Sequence, residues 1–161
     1  MTVWTYCPEC RTELQETEQS NGEKRLACPK GHYIHYNNPA PTTMGLVEYD
    51  GRFLIVKRAN EPRAGKWDLT GGFIEDEEDP TESMLRELKE ETGLTGTVQG
   101  IVGAFRSIYG DADYSIVGIA FHVLADSDQV TLSPENTAYE WRKLEDIPPL
   151  AFADTTAAVD A

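Results

Sequence analysis

A helix with one apolar side is the clearest feature in the pattern of hydrophobic and polar residues along this chain. At about 100° per residue, Met84, Leu85 and Leu88 fall on the same side of such a helix. Asp79 is suited to cap its start, and Gly93 suits the left-handed residue that follows its end. The proline and the glutamate that follow Asp79 complete the start signal. The pattern predicts a helix between Asp79 and Gly93 that packs on a sheet.

Shorter hydrophobic runs predict strands on both sides of this helix. They cover Thr42–Tyr49, Phe53–Lys57, Trp67–Leu69, Thr95–Arg106, Ser115–Leu124 and Tyr139–Leu144. Asp50-Gly51 is a strong signal for a two-residue hairpin turn between the first two runs. Asn60–Lys66 and Tyr109–Tyr114 are predicted loops, and the alanine-rich end Phe152–Ala161 is predicted to be helical. Strands and helices mixed in this order predict an α/β domain with a mixed sheet.

The composition fits one folded domain of ordinary size with a small appendage. The chain has 161 residues, of which 40% are hydrophobic, so a core can form and disorder is not expected. The net charge of −14 argues against nucleic acid as a direct partner, because phosphate backbones bind basic surfaces. A small molecule that carries phosphate stays compatible with this charge if bound divalent cations reverse the local field.

The first residues of the chain do not have the pattern of a signal peptide. No apolar stretch approaches the roughly 20 residues that are needed to cross a bilayer. We therefore expect no membrane partner and a cytoplasmic location. In that reducing compartment the three cysteines are not expected to form a disulfide framework.

Three cysteines and a histidine near the N-terminus form a candidate metal site. Cys7 and Cys10 make one CxxC pair, and Cys28 begins a second Cys-Pro turn after it. This spacing is similar to that of a zinc ribbon, in which two short turns each present two ligands to one tetrahedral ion. The usual fourth cysteine would stand at position 31, which is a glycine, so His32 is the predicted fourth ligand and His35 is a weaker candidate.

The cysteine segment predicts a separate first unit, at about residues 1–38, before a domain at residues 39–161. Such a short unit has little core, so a bound Zn²⁺ ion would supply most of its stability. The zinc is expected to be structural, because catalysis needs an open coordination position. Three unrelated free thiols are the alternative, and the ribbon spacing makes it the weaker interpretation.

Glu87, Glu90 and Glu91 share one face of the predicted helix, next to its apolar side. Glutamates on a helix most often form a solvated surface, and 26% of this chain is charged. Like charges at these spacings cost only about 0.2–0.5 kcal/mol each, so the cluster alone is weak evidence for a metal site.

The surroundings of the three glutamates strengthen the metal interpretation. Arg86 can pair with Glu82 or Glu90 and hold the carboxylates in position. Gly71 and Gly72 allow the backbone to come close and to present a carbonyl or an amide. Oxygen ligands from several carboxylates suit Mg²⁺ or Mn²⁺ rather than zinc.

The segment from Gly72 to Leu94 resembles the Nudix box at all of its defined positions. These are Gly72, Glu78, Arg86, Glu87, Leu88, Glu90, Glu91, Gly93 and Leu94. The resemblance extends over about residues 40–160, with flanks at Gly65–Leu69 and Tyr139–Trp141. It implies a Nudix hydrolase, an α/β/α sandwich around a mixed sheet. The zinc ribbon in front is similar to that of some Nudix hydrolases, including NADH pyrophosphatases and ADP-ribose pyrophosphatase-like proteins.

The resemblance also implies roles for individual residues of the box. Glu87, Glu90 and Glu91 would bind Mg²⁺ or Mn²⁺ together with the Gly71 carbonyl, and Glu87 is also a candidate general base. Glu78 would support the loop and the ligands.

Arg86 would orient Glu87 or Glu90 according to the same resemblance. Some family members recruit a further glutamate from a loop before the last strand, as a ligand or as a base. Glu135 is the first candidate for this role and Glu140 the second, and each is also explained as a plain surface acid.

The activity that the resemblance implies is hydrolysis of a nucleoside diphosphate linked to another group, with release of two phosphate monoesters. Gly103–Tyr109 lacks the Ser-Gln-Pro-Trp-Pro-Phe-Pro stretch of the NADH pyrophosphatases, which favours ADP-ribose or a nucleotide sugar over NADH. A hydrolase that removes damaged nucleoside triphosphates and a non-catalytic module that senses a nucleotide are the alternatives. A homodimer is also compatible with the resemblance, because relatives are often dimers.

Two positions near the box depart from the family pattern. Thr70 stands where proline is frequent before the double glycine, and Glu77 stands where glycine is common. Neither is a defined position, so we expect the chemistry to be kept while the local turn differs. The aromatic residues that could stack on a base, although each is more often core or rim, are Trp67, Phe105, Tyr109 and Tyr114.

Overall fold

The computed structural model of the chain describes residues 4–110 and 114–161. It divides into two compact units, Met1–Asn38 and Pro39–Ala161. Residues 1–3 of the predicted first unit and residues 111–113 of the predicted loop Tyr109–Tyr114 lie outside the described residues.

The first unit is built on an antiparallel hairpin of two short strands. These are β1 (Gln15–Glu18) and β2 (Lys24–Ala27). The buried core of the unit consists of Cys7, Leu14 and Cys28. Because two of these three residues are cysteines, the unit has little apolar surface of its own to hold it together.

The second unit is a six-stranded sheet with a helix on each face. Its elements within the described ranges are β3 (Ala40–Tyr49), β4 (Arg52–Arg58), β5 (Trp67–Asp68), α1 (Pro80–Thr92), β6 (Gly96–Tyr109), β7 (Tyr114–Ala125), β8 (Asn136–Arg142) and α2 (Ala153–Val159). The strand order is β5-β4-β3-β7-β6, and β8 pairs with β4. The pair β3–β7 is parallel and the other strand pairs are antiparallel, so the predicted mixed sheet is confirmed.

Two apolar clusters separate along the strands, because successive residues of a strand point to opposite faces. The cluster that includes α1 contains Met84, Leu88, Val47, Leu54, Val56, Leu94, Phe121 and Val123. The cluster that includes α2 contains Ala158, Met44, Leu46, Ile55, Leu69 and Ala120. Neighbours such as Leu46 and Val47 therefore face different helices, which confirms the α/β/α sandwich.

The turn between β3 and β4 has the predicted two-residue geometry. Asp50 and Gly51 have φ angles of 49° and 71°, as a type I′ hairpin turn requires. Beyond the hairpin, β3 pairs in parallel with β7, from Ala40 to Glu48.

The last strand differs from its prediction. It begins at Asn136 rather than Tyr139, because its pairing with β4 continues to Arg58 across a bulge. It ends at Arg142, and Leu144 starts a short 3-10 helix instead of closing the strand. Among the described residues, no helix has the length and the apolar character needed to span a membrane.

Candidate functional site

The helix α1 starts at a cap that the chain builds from its own side chains. The Asp79 carboxylate accepts a hydrogen bond from the Thr81 N–H at 2.9 Å, and Glu82 accepts one from the Asp79 N–H at 3.2 Å. At the other end, Gly93 has a φ of 72° and its N–H donates to the Lys89 carbonyl. These contacts confirm the predicted boundaries of the helix and fix which of its side chains face the sheet.

Arg86 is the centre of an ion-pair network on α1. Its Nε and Nη2 donate to the two carboxylate oxygens of Glu78 at 2.7 and 3.0 Å, a forked geometry that gives strong and well-oriented pairs. Its Nη1 donates to Glu87 at 2.8 Å and to Glu90 at 3.1 Å. Hydrogen bonding from Arg86 lowers the pKa of Glu78 to about 2, and the same pairing raises the pKa of Arg86.

The network corrects one predicted contact. Of the two partners predicted for Arg86, Glu90 is confirmed and Glu82 is wrong, because the Glu82 carboxylate accepts a hydrogen bond from the Asp79 N–H in the helix cap. Arg86 instead donates from Nη2 to the Phe73 carbonyl at 3.3 Å, in addition to its fork with Glu78. The arginine thereby ties the loop before α1 to the glutamate face of the helix.

The Gly71-Gly72 turn lies between β3 and that glutamate face. The Thr43 N–H donates to the Gly72 carbonyl at 2.8 Å and holds the turn along β3. Gly71 has a φ of 150°, and a Cβ there would collide with the Thr43 carbonyl. A Cβ at Gly72 would collide with the Glu87 carboxylate. The Thr43 backbone therefore requires glycine at position 71, whereas a side chain at position 72 would displace the Glu87 carboxylate.

Glu91 lies in the cavity wall beside this turn. Its Oε2 accepts a hydrogen bond from the Gly71 N–H at 3.3 Å. Burial, followed by repulsion from Glu87, raises the pKa of Glu91 to about 8, and the Gly71 N–H acts in the opposite direction. Burial also raises the pKa of Glu87. Two carboxylates thus lie beside the turn, where burial disfavours their negative charges.

This donor set fits a hard divalent cation. Repulsion from Glu87 and Glu135 is among the causes that raise the pKa of Glu91, so the three carboxylates are close enough to interact. A cation between them would offset that repulsion. All of these donors are oxygens, which suits Mg²⁺ or Mn²⁺.

The structure separates the two candidate glutamates outside the box. Glu135 lines the cavity beside the Gly71-Gly72 turn, which we call the main cavity, together with Glu87 and Glu91. It also lines a second depression with Glu90. Glu140 lies on β8, where its carboxylate accepts a hydrogen bond from Arg142 Nε at 2.6 Å. Glu135 is brought to the helix glutamates, whereas Glu140 is not among the described residues that line these two cavities.

The main cavity, of about 200 Å³, extends from the glutamates to a region that the sequence analysis missed. Arg58 Nη1 lies 3.5 Å from Asp68 Oδ2 there, and burial raises the pKa of Asp68 to about 6. The Phe152 ring stacks on Tyr109 with centroids 5.5 Å apart, and the Arg58 guanidinium lies 5.1 Å from the Phe152 ring centre. Asp68 could have been singled out from the sequence, because it is an acidic residue within the predicted strand Trp67–Leu69. The residues around Phe152 give no such indication.

The four aromatic residues singled out from the sequence have different positions. Tyr109 lines the main cavity. Trp67 and Phe105 pack against the apolar cluster that includes α2. Tyr114 is exposed, and its ring lies 6.1 Å from that of Phe73. Of these four, the geometry brings Tyr109 to the candidate site.

The two departures from the family pattern both have a structural consequence. Glu77 has a φ of 64°, in the left-handed region that glycine adopts with least strain. Thr70 is fully buried, and its Oγ1 has no hydrogen-bond partner within the part of the chain that the structure describes. Its carbonyl accepts from the Gly45 N–H at 2.9 Å, so the backbone next to Gly71 is still fixed to β3.

The first unit brings together the four predicted zinc ligands. One ligand atom each of Cys7, Cys10, Cys28 and His32 lies within 4.8 Å of the others. The Sγ atoms of Cys10 and Cys28 are 3.6 Å apart. Each turn is closed by a backbone N–H that donates to the carbonyl of its first cysteine at 2.9 Å. Three thiols and one imidazole are a donor set that could hold a tetrahedral zinc ion.

The side chains around the cluster explain which groups belong to it. Hydrogen bonding with Thr12, whose hydroxyl oxygen lies 3.3 Å from Cys10 Sγ, lowers the pKa of Cys10 to about 6. Burial raises the pKa of Cys7. His35 is turned to other partners: its ring lies 5.5 Å from that of Trp4, and its Nδ1 lies 3.3 Å from the Tyr33 hydroxyl.

Comparison with known proteins gives consistent matches for the second unit. A family model of the NUDIX domain matches residues 39–159. The chain is 33% identical over 120 residues to the ADP-ribose pyrophosphatase of Methanocaldococcus jannaschii. The aligned region covers 74% of this chain and 71% of that protein. The chain is also 27% identical over 160 residues to the NAD-capped RNA hydrolase NudC of Vibrio parahaemolyticus. That alignment covers 94% of this chain and 56% of that protein.

A solved structure matches nearly the whole length of the chain. The crystal structure of a NUDIX hydrolase from Nitrosomonas europaea has a TM-score of 0.81 and 25% sequence identity. The match covers 97% of this chain and 88% of that one.

Proposed function

This chain belongs to the Nudix family and is a pyrophosphohydrolase, and from that premise we propose that its substrate is a nucleoside diphosphate linked to a second group, of the ADP-ribose or nucleotide-sugar type. Nudix hydrolases act on small-molecule nucleotides and typically use Mg²⁺ or Mn²⁺. The ADP-ribose pyrophosphatase that is 33% identical to this chain supports the choice of substrate class.

The observation that carries the proposal is the convergence of Glu87, Glu91 and Glu135 on one cavity beside the Gly71-Gly72 turn. Glu87 and Glu91, with Glu90 and the Gly71 carbonyl, are proposed to hold the divalent cation. When bound, the cation supplies positive charge that screens the diphosphate and makes water a stronger nucleophile. Without it, the acidic wall would repel the substrate.

The surrounding residues position these groups. Arg86 fixes Glu87 and Glu90 through its Nη1 group, and its fork with Glu78 keeps the arginine in place. Water attacks a phosphorus of the diphosphate, the bridging P–O bond breaks, and two phosphate monoesters leave. Glu135 lies beside the helix glutamates and is the proposed acceptor of the water proton, with Glu87 as the second candidate.

NADH is a second candidate substrate. The alignment with NudC covers 94% of this chain and therefore includes cysteine-bearing residues before the family domain. The Cys7, Cys10, Cys28 and His32 cluster is proposed to hold a structural zinc ion, supported by the mutual distances of its ligand atoms. Against NADH stands the Gly103–Tyr109 segment, which lacks the proline-rich stretch of that group.

A substrate panel tests the proposal. The purified protein is incubated with Mg²⁺, with Mn²⁺ or with chelator, and product release from ADP-ribose, UDP-glucose, NADH and oxidised dGTP is measured. We expect metal-dependent release of AMP from ADP-ribose with the highest kcat/KM of the panel. Preference for NADH or oxidised dGTP would replace the proposed substrate class, and tight binding of nucleotides without turnover would indicate a sensor.

A further inference from the structure

The main cavity contains a buried carboxylate that the hydrolytic chemistry does not use. Asp154, in the first turn of α2, lines this cavity with an exposed fraction of 3%. Its Oδ1 is buried and has no hydrogen-bond partner in residues 4–110 and 114–161. A buried acceptor without a donor costs free energy, so a ligand that supplies an N–H or O–H group would bind here favourably.

The walls near Asp154 favour a flat ring. Ile116 and Met44 are buried apolar residues of the same cavity. Phe152, two residues before Asp154, stacks on Tyr109 with an angle of 26° between the rings. Aromatic faces of this kind bind nucleobases by stacking. A base that enters between these walls would present the polar groups of its edge to the carboxylate.

We propose that Asp154 determines base specificity by accepting a hydrogen bond from the exocyclic amino group of adenine, guanine or cytosine. The same position disfavours uracil, whose corresponding group is a carbonyl oxygen that would face the carboxylate. This inference rests on the proposed function, because the diphosphate must lie at the helix glutamates when the base lies at Asp154.

Binding of matched nucleoside monophosphates tests the proposal without turnover. Calorimetric titrations with saturating Mg²⁺ compare three pairs, none of which contains a pyrophosphate bond to hydrolyse: AMP with purine riboside monophosphate, GMP with IMP, and CMP with UMP. Among AMP, GMP and CMP, we expect the nucleotide that binds most tightly to bind about 10- to 100-fold more tightly than the analogue in its pair that lacks the amino group. This is the effect of one hydrogen bond to a charged group. Ratios below threefold in all pairs, tightest binding of UMP, or no binding of any of the six would overturn the proposal.

The Asp154→Asn variant tests whether Asp154 causes the difference in affinity within a pair. Asp154→Asn keeps the shape and removes the charge, and we expect the affinity ratio of the best pair to fall to below about threefold. Asp160→Asn, an exposed residue at the end of the same helix, is the matched control and should keep the ratio. An unchanged ratio in folded Asp154→Asn would contradict the assignment. The ligand pairs decide the outcome even if that variant does not fold, and a lack of hydrolysis by the native protein would concern the proposed function alone.

Discussion

The Cys-His cluster of the first unit and the glutamate face of α1 differ in what holds their side chains in place. In the first unit, Cys7 and Cys28 are themselves most of the buried core. In the second unit, the glutamates stand on a helix that is capped at both ends and packed through Met84 and Leu88 on the sheet. One set of proposed ligands makes up most of the core of its unit, and the other stands on a helix whose core consists of other residues.

This difference corresponds to two uses of a metal ion in proteins, which are to stabilise a fold and to take part in catalysis. Where the ligands are the core, the ion is expected to hold the fold, as in small zinc domains. Where the scaffold folds on its own apolar clusters, the carboxylates can be kept close enough to repel one another, as the raised pKa of Glu91 indicates. A cation is then available for chemistry instead of folding.

The largest effect is expected from loss of a cysteine ligand. Cys28→Ser should abolish zinc binding and unfold the first unit, because binding of structural zinc contributes about 10–16 kcal/mol in small zinc-binding peptides. Metal analysis and hydrogen exchange measure both effects. Amides of residues 4–38 should lose protection while those of the second unit keep it, and unchanged protection after complete loss of metal would contradict the account.

Two histidine variants sharpen this test. His32→Gln should also lose the ion, because the imidazole belongs to the cluster. His35→Gln is its control and should keep the ion, because that ring is turned to Trp4 and Tyr33. Loss of zinc in both variants alike would show that the ligand assignment is wrong.

A smaller effect is expected from the arginine that orients the glutamates. Arg86→Lys cannot keep the fork to Glu78 and the bonds to Glu87 and Glu90 at once. We expect kcat/KM to fall about 10- to 100-fold, the usual effect of losing a group that orients metal ligands. Arg106→Lys, an exposed change on β6, is the control. Equal rates for both variants would exclude an orienting role.

The pH dependence of stability tests the buried carboxylate at Asp68. Burial raises its pKa from 3.8 to about 6, so the native state binds this proton more tightly than the unfolded state. The buried charge of Asp68 therefore destabilises the native state only when the carboxyl group is ionised. This contribution is absent at pH values below 3.8 and grows until the pH passes about 6. Asp68→Asn should therefore raise the Tm by a few degrees at pH 8 and not at pH 3.5. The same difference at both pH values would contradict this reading.

The smallest effect is expected at the turn that holds Gly71. Thr70→Val replaces a buried hydroxyl that has no hydrogen-bond partner within the described ranges. The free energy of unfolding should rise by about 1 kcal/mol, which thermal unfolding measures. Thr70→Ser keeps the hydroxyl and should show no gain. A lower Tm for Thr70→Val would mean that the hydroxyl has a partner such as a water molecule.

The parts of the structure that sequence predicts best are those encoded by neighbouring residues. The start of α1 depends on contacts within four residues of Asp79, and the prediction is confirmed in detail. Arg86 was correctly linked to Glu90, but its main partner Glu78 lies a loop away and was not foreseen as one. Asp154 and Phe152 reach the cavity from the end of the chain, through the packing of α2 on the sheet, which no local pattern encodes.

The residues outside the box show the same limit. Glu135 and Glu140 are close in sequence and equally acidic, yet the pairing of β8 with β4 places Glu140 opposite Ile55 and beside Arg142. Glu135 stands just before this strand and faces the helix glutamates instead. Strand register, which depends on residues far along the chain, decides between them.

The most direct test of the account is the activity of Glu91→Gln beside that of Glu145→Gln, an exposed glutamate in the short 3-10 helix. Both are assayed with saturating Mg²⁺ on the best substrate of the panel, after thermal unfolding has shown that both are folded. Loss of a ligand should exceed the loss of an orienting group, so we predict that Glu91→Gln lowers kcat/KM at least about 100-fold while Glu145→Gln keeps the native value. A loss of less than about tenfold in folded Glu91→Gln would contradict the central claim that this glutamate face is the hydrolytic metal site.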